Sequence, residues 1–273
     1  MTALMEIRDA GRTFNAGGKS VTAVKSMSLV FPGDSPRLIT LAGESGCGKS
    51  TLALMALGFL APTSGQVLFE GQDIATMADR HRRQFRRSVQ AVFQNPFEVF
   101  NPFYRVDHTF HLALRQLGMD RRSSEARQAV EGVLARVRLD PQRVLGRYAH
   151  QLSGGQLQRI QIARALLLKP RVLVADEPVS MIDASLRILV LRQLVEIKEQ
   201  LGVSILYITH DLSTALQISD ELLIALNGEI VERGDPLEVV TRPRHPYTGM
   251  LVRSVPSSDP NDRWTSEIPD TPR

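Results

Sequence analysis

Residues 43–50 read Gly-Glu-Ser-Gly-Cys-Gly-Lys-Ser. Gly43, Gly46 and Gly48 free the backbone for torsions that aim successive N–H groups at one point, which is how a loop grips phosphate oxygens. A helix starting near Lys49 would add the positive end of its dipole. Lys49 is then placed for the β- and γ-phosphates of a nucleotide, and the Ser50 hydroxyl for Mg²⁺. A tight structural turn is the alternative reading. The strand pattern before the loop and the helix pattern after it favour phosphate. Cys47, inside the loop, reads as a packing residue rather than a nucleophile or a metal ligand.

A second group of polar residues ends another apolar run. Val172, Leu173, Val174 and Ala175 lead into Asp176 and Glu177, so a buried strand delivers two acids to the carboxyl edge of a parallel sheet. One acid can hold Mg²⁺ through water, and the other can take a proton from an attacking water. Alone, the pair is equally a strand end capping a helix; with the glycine loop upstream it reads as hydrolytic. His210 follows the strand 204–208 and Gln94 ends the strand 89–93, which brings both to the same edge. The imidazole can contact a γ-phosphate, and the amide can reach Mg²⁺ or the attacking water. Ser153, Gly154, Gly155 and Gln156 open an amphipathic helix, with Ser153 as N-cap and backbone N–H groups left open for an anion. A plain helix cap has the same sequence. Two anion-binding helix ends beside one metal site suggest that the second serves another copy's nucleotide.

The elements that must position these residues follow from periodicity. Segments 3–8, 21–30 and 37–41 read as strands, 49–60 as a helix with Leu52, Met55, Ala56 and Phe59 on one face, then 67–69 and 89–93 as strands. From 97 to about 167 helical spacing dominates. Strand and helix then alternate through 172–175, 185–201, 204–208, 212–218 and 221–225. The pattern predicts a mixed α/β core with a mostly parallel sheet, interrupted by a helical insertion. From 257 to 273 the chain is polar and without periodicity, and a disordered tail is expected there.

Composition sets the outer limits. The chain has 273 residues, 43% of them hydrophobic, and a formal net charge of +4. No apolar run is long enough to cross the roughly 30 Å hydrocarbon core, and no signal-like start precedes the first strand, so a cytoplasmic place is expected. The single cysteine excludes an internal disulfide framework and a four-cysteine cluster. Residues 80–87 carry five arginines and a histidine. Such a run can bind nucleic acid or acidic headgroups, but a solvated helix face is the favoured reading, and no nucleic-acid partner is expected.

Taken in order along residues 5–240, these pieces resemble the nucleotide-binding subunit of ABC transporters. The resemblance implies a P-loop NTPase fold, with a RecA-like mixed sheet, an antiparallel β subdomain and a helical subdomain at about 97–167. It implies one nucleotide-binding domain over 1–256, including a C-terminal extension at about 235–256. Gly43, Glu44, Ser45, Gly46, Cys47, Gly48, Lys49, Ser50 and Thr51 match the Walker A motif; Gln94 matches the Q-loop residue; Ser153, Gly154, Gly155 and Gln156 match the LSGGQ signature. Asp176 and Glu177 close Walker B, Asp183 ends the D-loop, and His210 is the switch histidine. Phe14 stands where an aromatic stacks on adenine, a core residue being the alternative. Ser50, Gln94 and Asp176 are the expected metal ligands, Glu177, His210 and Gln94 the expected catalytic set, and ATP with Mg²⁺ the expected cofactors.

Within that family, His245-Pro246-Tyr247-Thr248 and Phe93-Gln94-Asn95-Pro96 resemble the dipeptide and oligopeptide importer ATPases, whose relatives also take nickel or oligosaccharides. The implied role is to power import, with transmembrane permease subunits as partners. A second ATPase, a paralogue or a second copy, is implied beside it, and an extracytoplasmic solute-binding protein acts indirectly. The implied place is the cytoplasmic face of the membrane, peripherally. A soluble ABC-type ATPase outside transport is the remaining alternative. The D-loop departs from the usual Ser-Ala-Leu-Asp as Ser180-Met181-Ile182-Asp183, with the acid kept.

Overall fold

The computed structural model describes residues 2–254; the expected tail at 257–273 lies outside them. The chain opens with two long strands, β1 (Met5–Ala16) and β2 (Lys19–Phe31), then β3 (Leu38–Ala42) and helix α1 (Lys49–Ala56). Next come β4 (Ser64–Phe69), β5 (Gln72–Asp73), α2 (Asp79–Ser88) and β6 (Val89–Val92). A helical block follows, made of α3 (Pro96–Val99), α4 (Asp107–Gln116), α5 (Ser124–Arg136), α6 (Pro141–Val144), a 3-10 turn (Ala149–Gln151) and α7 (Gly154–Leu167). The chain returns through β7 (Val172–Asp176), α8 (Ala184–Leu201), β8 (Ser204–Thr209), α9 (Leu212–Ile218), β9 (Glu221–Leu226) and β10 (Glu229–Gly234). It closes with α10 (Pro236–Thr241) and α11 (Pro246–Arg253).

All ten strands join one sheet in the order β5-β4-β1-β2-β10-β9-β3-β8-β7-β6. Strands β9, β3, β8, β7 and β6 run parallel, while β5, β4, β1 and β2 form an antiparallel wing. A single parallel pair, Glu229 with Ser26, links β10 to β2. Parallel strands buried on both faces need continuous apolar runs, and β3 and β8 are buried at every position. Helix α1 lies inside the curl of the sheet, with Leu52, Met55 and Ala56 fully buried among residues of β1, β2, β3, β7 and β8. The helical block and α8 cover another core built on Leu157, Ile160, Leu173 and Tyr207.

Three differences from the sequence pattern have physical causes. Helix α1 ends at Ala56, because Gly58 turns left-handed at φ +69°. Phe59 is therefore not on the helix's buried face; it is 68% exposed and stacks on Phe93 at 6.5 Å between ring centroids. Strand β1 runs well past Arg8, but bulges between Ile7 and Thr13, with Asp9 at φ +45°, break its alternation. The C-terminal β10, α10 and α11 carry too few buried residues to show a period, and β10 has none. The basic run is helix α2, with Phe85 buried, Arg82 half-buried and donating to the Met77 carbonyl, and Arg80, Arg83, Arg86 and Arg87 exposed.

Candidate functional site

Register alone brings the polar residues together. Ala42 pairs with Thr209, Asp176 with Ile208 and Val92 with Ala175. The residues that follow these strand ends, Gly43, His210, Glu177 and Gln94, therefore emerge along one carboxyl edge, where open α/β sheets bind ligands.

The glycine loop has no room for side chains at two positions. At Gly43, φ +156°, a Cβ would lie 2.3 Å from the Ala225 carbonyl oxygen; at Gly48, φ +97°, it would lie 2.4 Å from that of Ala23. Both distances are below any real contact, so glycine is required twice. The loop wraps the Lys49 ammonium, which is 5% exposed and donates to the carbonyls of Gly43 and Glu44 at 2.7 Å each. The ammonium's third contact is Cys47 Sγ at 3.7 Å. Among the described residues Lys49 makes no ion pair, and a buried cation held by neutral acceptors is a strong attractor of anions. Ser45, Gly46 and Ser50 are on the surface, and Cys47 is a buried free thiol.

Glu177 is held on both of its carboxylate oxygens. Its Oε2 accepts the Gln94 amide at 2.9 Å, and its Oε1 lies 2.9 Å from His210 Nδ1. Its main chain sits at φ +44°, a left-handed conformation costing on the order of 1 kcal/mol for a residue other than glycine. Hydrogen bonds offset that cost: Glu177 N donates to Ile208 O, and its carbonyl accepts from Ser180 N and Oγ. A carboxylate oriented on both oxygens, with its backbone pinned, is suited to accept a proton from a water at a fixed place.

Asp176 has the opposite character. Burial pushes its carboxyl up from the ordinary range, against a hydrogen bond from Ser50; the charge of Glu177 raises it further and that of Lys49 lowers it. Its Oδ1 is buried without a partner among the described residues. An orphaned carboxylate oxygen beside a hydroxyl is an all-oxygen donor set, which suits Mg²⁺ with its several retained waters. No cluster of three or more His, Cys, Asp or Glu that could hold an ion is found among the described residues. Asp176 and Ser50, as oxygen donors, fit an ion that keeps most of its waters. Gln94, expected on the metal, donates its side-chain Nε2 to Glu177 Oε2, which leaves its oxygen as the atom that could reach an ion.

The signature segment lies on the helical block. Ser153 Oγ accepts from Gln156 N at 3.2 Å and Gln156 Oε1 from Ser153 N at 2.9 Å, a reciprocal capping box. At Gly155 a Cβ would lie 2.7 Å from Leu186 Cδ1, and at Gly154 it would lie 3.4 Å from the Met181 carbonyl. The start of α7 is thus packed against the turn 180–183 and the beginning of α8. Asp183 is exposed, and its carbonyl accepts from Arg187 N at 2.9 Å. Phe14 projects from β1, 39% exposed, with the Arg12 guanidinium 4.8 Å from its ring centroid. It is a surface aromatic, not a core residue. Sequence reasoning missed Tyr247 as a neighbour of the loop: 203 positions separate it from Glu44, yet its hydroxyl accepts the Glu44 N–H at 3.0 Å.

Comparison with known proteins settles the family. Residues 29–180 match the family model described as ABC transporter, and residues 231–273 match that described as oligopeptide/dipeptide transporter, C-terminal region. The chain belongs to the ABC transporter family. Its activity is ATP hydrolysis coupled to transport. It is 36% identical over 257 residues to the oligopeptide transport ATP-binding protein OppF of Escherichia coli, covering 94% of this chain and 76% of that one. The OppF protein of Haemophilus influenzae is 33% identical over 256 residues, covering 93% and 76%. Among solved structures, cbiO1 of Clostridium perfringens, part of the transporter complex cbiONQ, aligns with TM-score 0.74 and 26% identity. That alignment covers 89% of this chain and 92% of that one. No helix among the described residues is long and apolar enough to cross a membrane.

Proposed function

We propose that this chain is the ATPase subunit of a di- or oligopeptide importer and that it hydrolyses MgATP at the carboxyl edge of its sheet. The observation that carries the reading is the grip on Glu177 by Gln94 and His210, next to a glycine loop closed around a buried, unpaired lysine. Peptide as the solute is supported by the match over 231–273 and by the names of the relatives, whose similarity covers 93–94% of this chain.

In this reading the N–H groups of 45–51 and the Lys49 ammonium hold the β- and γ-phosphates, and the adenine stacks on Phe14. Ser50, Asp176 and Gln94 would hold Mg²⁺, and the ion would supply charge neutralisation on the phosphate oxygens. Glu177 orients a water and takes its proton as the water oxygen bonds to the γ-phosphorus and the bond to the β-phosphate oxygen breaks. His210 keeps Glu177 in place and faces the departing phosphate. The capped helix start at Ser153, with Gly154, Gly155 and Gln156, closes the γ-phosphate of a second ATPase chain, and Asp183 of the neighbouring turn lies at the same junction.

Permease subunits dock on the helical block beside Gln94, where Phe97, Phe103 and Tyr104 are 49%, 86% and 51% exposed. The chain then works at the cytoplasmic face of the membrane, peripherally, with a solute-binding protein on the far side acting through the permeases. The test is Glu177→Gln. It should slow hydrolysis by roughly 10²–10⁴-fold and trap a nucleotide-sandwiched pair of ATPases on size-exclusion chromatography with MgATP, with the complex's second ATPase present if there is one. Monomeric elution at saturating nucleotide overturns the two-chain site.

A further inference from the structure

The C-terminal segment reaches back to the glycine loop through one side chain. Tyr247, on the first turn of α11, is 4% exposed, and its hydroxyl accepts the backbone N–H of Glu44 at 3.0 Å. That N–H belongs to the first turn of the loop, next to Gly43, whose carbonyl accepts from Lys49. The loop is tied a second time where Gly228 N, in the turn between β9 and β10, donates to Cys47 O at 3.2 Å. Each tie comes from the C-terminal quarter of the chain, and together they hold the loop at both ends of its glycine turn.

The placement of Tyr247 is itself fixed by a relay of hydrogen bonds. Glu232, on β10, accepts the backbone N–H groups of Arg244 at 2.8 Å and His245 at 3.0 Å. His245 caps α11, its Nδ1 accepting from Tyr247 N at 3.2 Å. The ring belongs to one buried cluster with Ala42, Leu212, Leu222, Ile224 and Val239. Ala42 is the last residue of β3, so the cluster that holds the ring includes the strand that feeds the loop, while the hydroxyl touches the loop. Burial pushes the phenol up to about 12, so it remains a neutral hydroxyl at any working pH.

We propose that Tyr247 is a positioning residue for the nucleotide: the C-terminal segment sets the shape of the phosphate loop, and with it the affinity for ATP, through the Tyr247 hydroxyl. The proposal rests on the reading of residues 43–51 as the phosphate site and adds a determinant outside it. The hydroxyl occupies the Glu44 N–H and so decides which loop N–H groups remain for phosphate. It also steadies the two carbonyls that hold Lys49. The loop contacts phosphate in the ground state and the transition state alike, so loosening it weakens binding more than turnover.

The experiment compares Tyr247→Phe with Val239→Ala in the full-length chain, measuring equilibrium binding of a fluorescent ATP analogue and the melting temperature. Kinetics follow in the assembled transporter. Tyr247→Phe keeps the ring and its packing but leaves the Glu44 N–H without its acceptor, so the dissociation constant and the KM for ATP should rise about three- to tenfold, the size of one lost hydrogen bond, with kcat within about twofold. Val239→Ala, which loosens the same cluster, should lower the melting temperature and leave KM where it was. Amide exchange in a peptide covering 43–48 should quicken in Tyr247→Phe and not in Val239→Ala. An unchanged KM and unchanged exchange in Tyr247→Phe overturn the proposal, as does an equal rise in KM from both variants, which makes the effect one of stability. Lys49→Ala separates the two readings. If it binds the analogue as tightly as the wild type, the phosphate-site assignment fails; if it does not and Tyr247→Phe is silent, only the role of Tyr247 fails.

Discussion

The side-chain amide of Gln94 donates to Glu177 Oε2 at 2.9 Å, although 83 positions of chain separate the two residues. Gln94 is where the chain leaves β6 for the helical block, and Glu177 is where β7 ends. A movement of the block that shifts Gln94 thus releases the carboxylate, leaving it on His210 alone. If Glu177 is the general base and a permease docks on the block, as proposed above, this contact is a direct physical route from one to the other.

Gln94→Ala should lower kcat roughly tenfold or more, the effect of removing a hydrogen bond to a charged group, with little change in KM. Steady-state kinetics of the assembled transporter check it. Equal turnover in the variant means that His210 alone suffices to orient Glu177.

Asp176→Asn should trade activity for stability in a pH-dependent way. Burial holds the Asp176 carboxyl above the usual range, so the folded chain binds that proton more tightly than the unfolded chain. The stability this confers is complete below about pH 4, the unfolded value, and is lost as the pH rises through the folded one. The neutral amide suffers no such loss. Without nucleotide, the variant should therefore melt above the wild type at pH 8, with the gap closing towards pH 4, while hydrolysis falls to background. Melting curves across that range decide the matter, and a gap independent of pH contradicts the assignment.

Phe14→Ala should raise the KM for ATP several-fold and leave kcat largely alone, whereas Phe14→Tyr should be nearly neutral, since either ring supplies the stacking face. Two silent variants would place the adenine contact elsewhere.

Phe103→Asp should spare ATP binding by the isolated chain and abolish transport by the complex. Its ring is 86% exposed, so a charge there costs the fold almost nothing, yet it spoils an apolar docking surface. Transport at the normal rate in proteoliposomes would remove Phe103 from that surface.

What could be read in the sequence is what lies contiguous in it. Residues 43–50, the strand running into Asp176 and Glu177, and the capped start of α7 each present their chemistry within eight positions or fewer. The parallel core strands are legible because burial on both faces leaves unbroken apolar runs. The pairings are not. Nothing near Gln94 says that its amide nitrogen meets Glu177, because that depends on the register of β6 against β7. Phe59 was misplaced because a periodic pattern continues past the residue where Gly58 stops the helix. Tyr247 shows no spacing signal at all: its partner is a backbone N–H two hundred residues away, and a main-chain donor leaves no mark on a side-chain pattern.

Among the described residues, strand β6 is the last of ten and has a neighbour on only one side, β7. The helical block is strung between these two strands, leaving from the outermost and returning to the one beside it. Additions to a sheet's rim cut no ladder hydrogen bonds, whereas additions between central strands would split it. The block can accordingly lengthen, shorten or change its surface over generations without disturbing the loop, the acids or the histidine. A lineage of such chains can refit its coupling to a new membrane partner while inheriting its hydrolytic machinery unaltered.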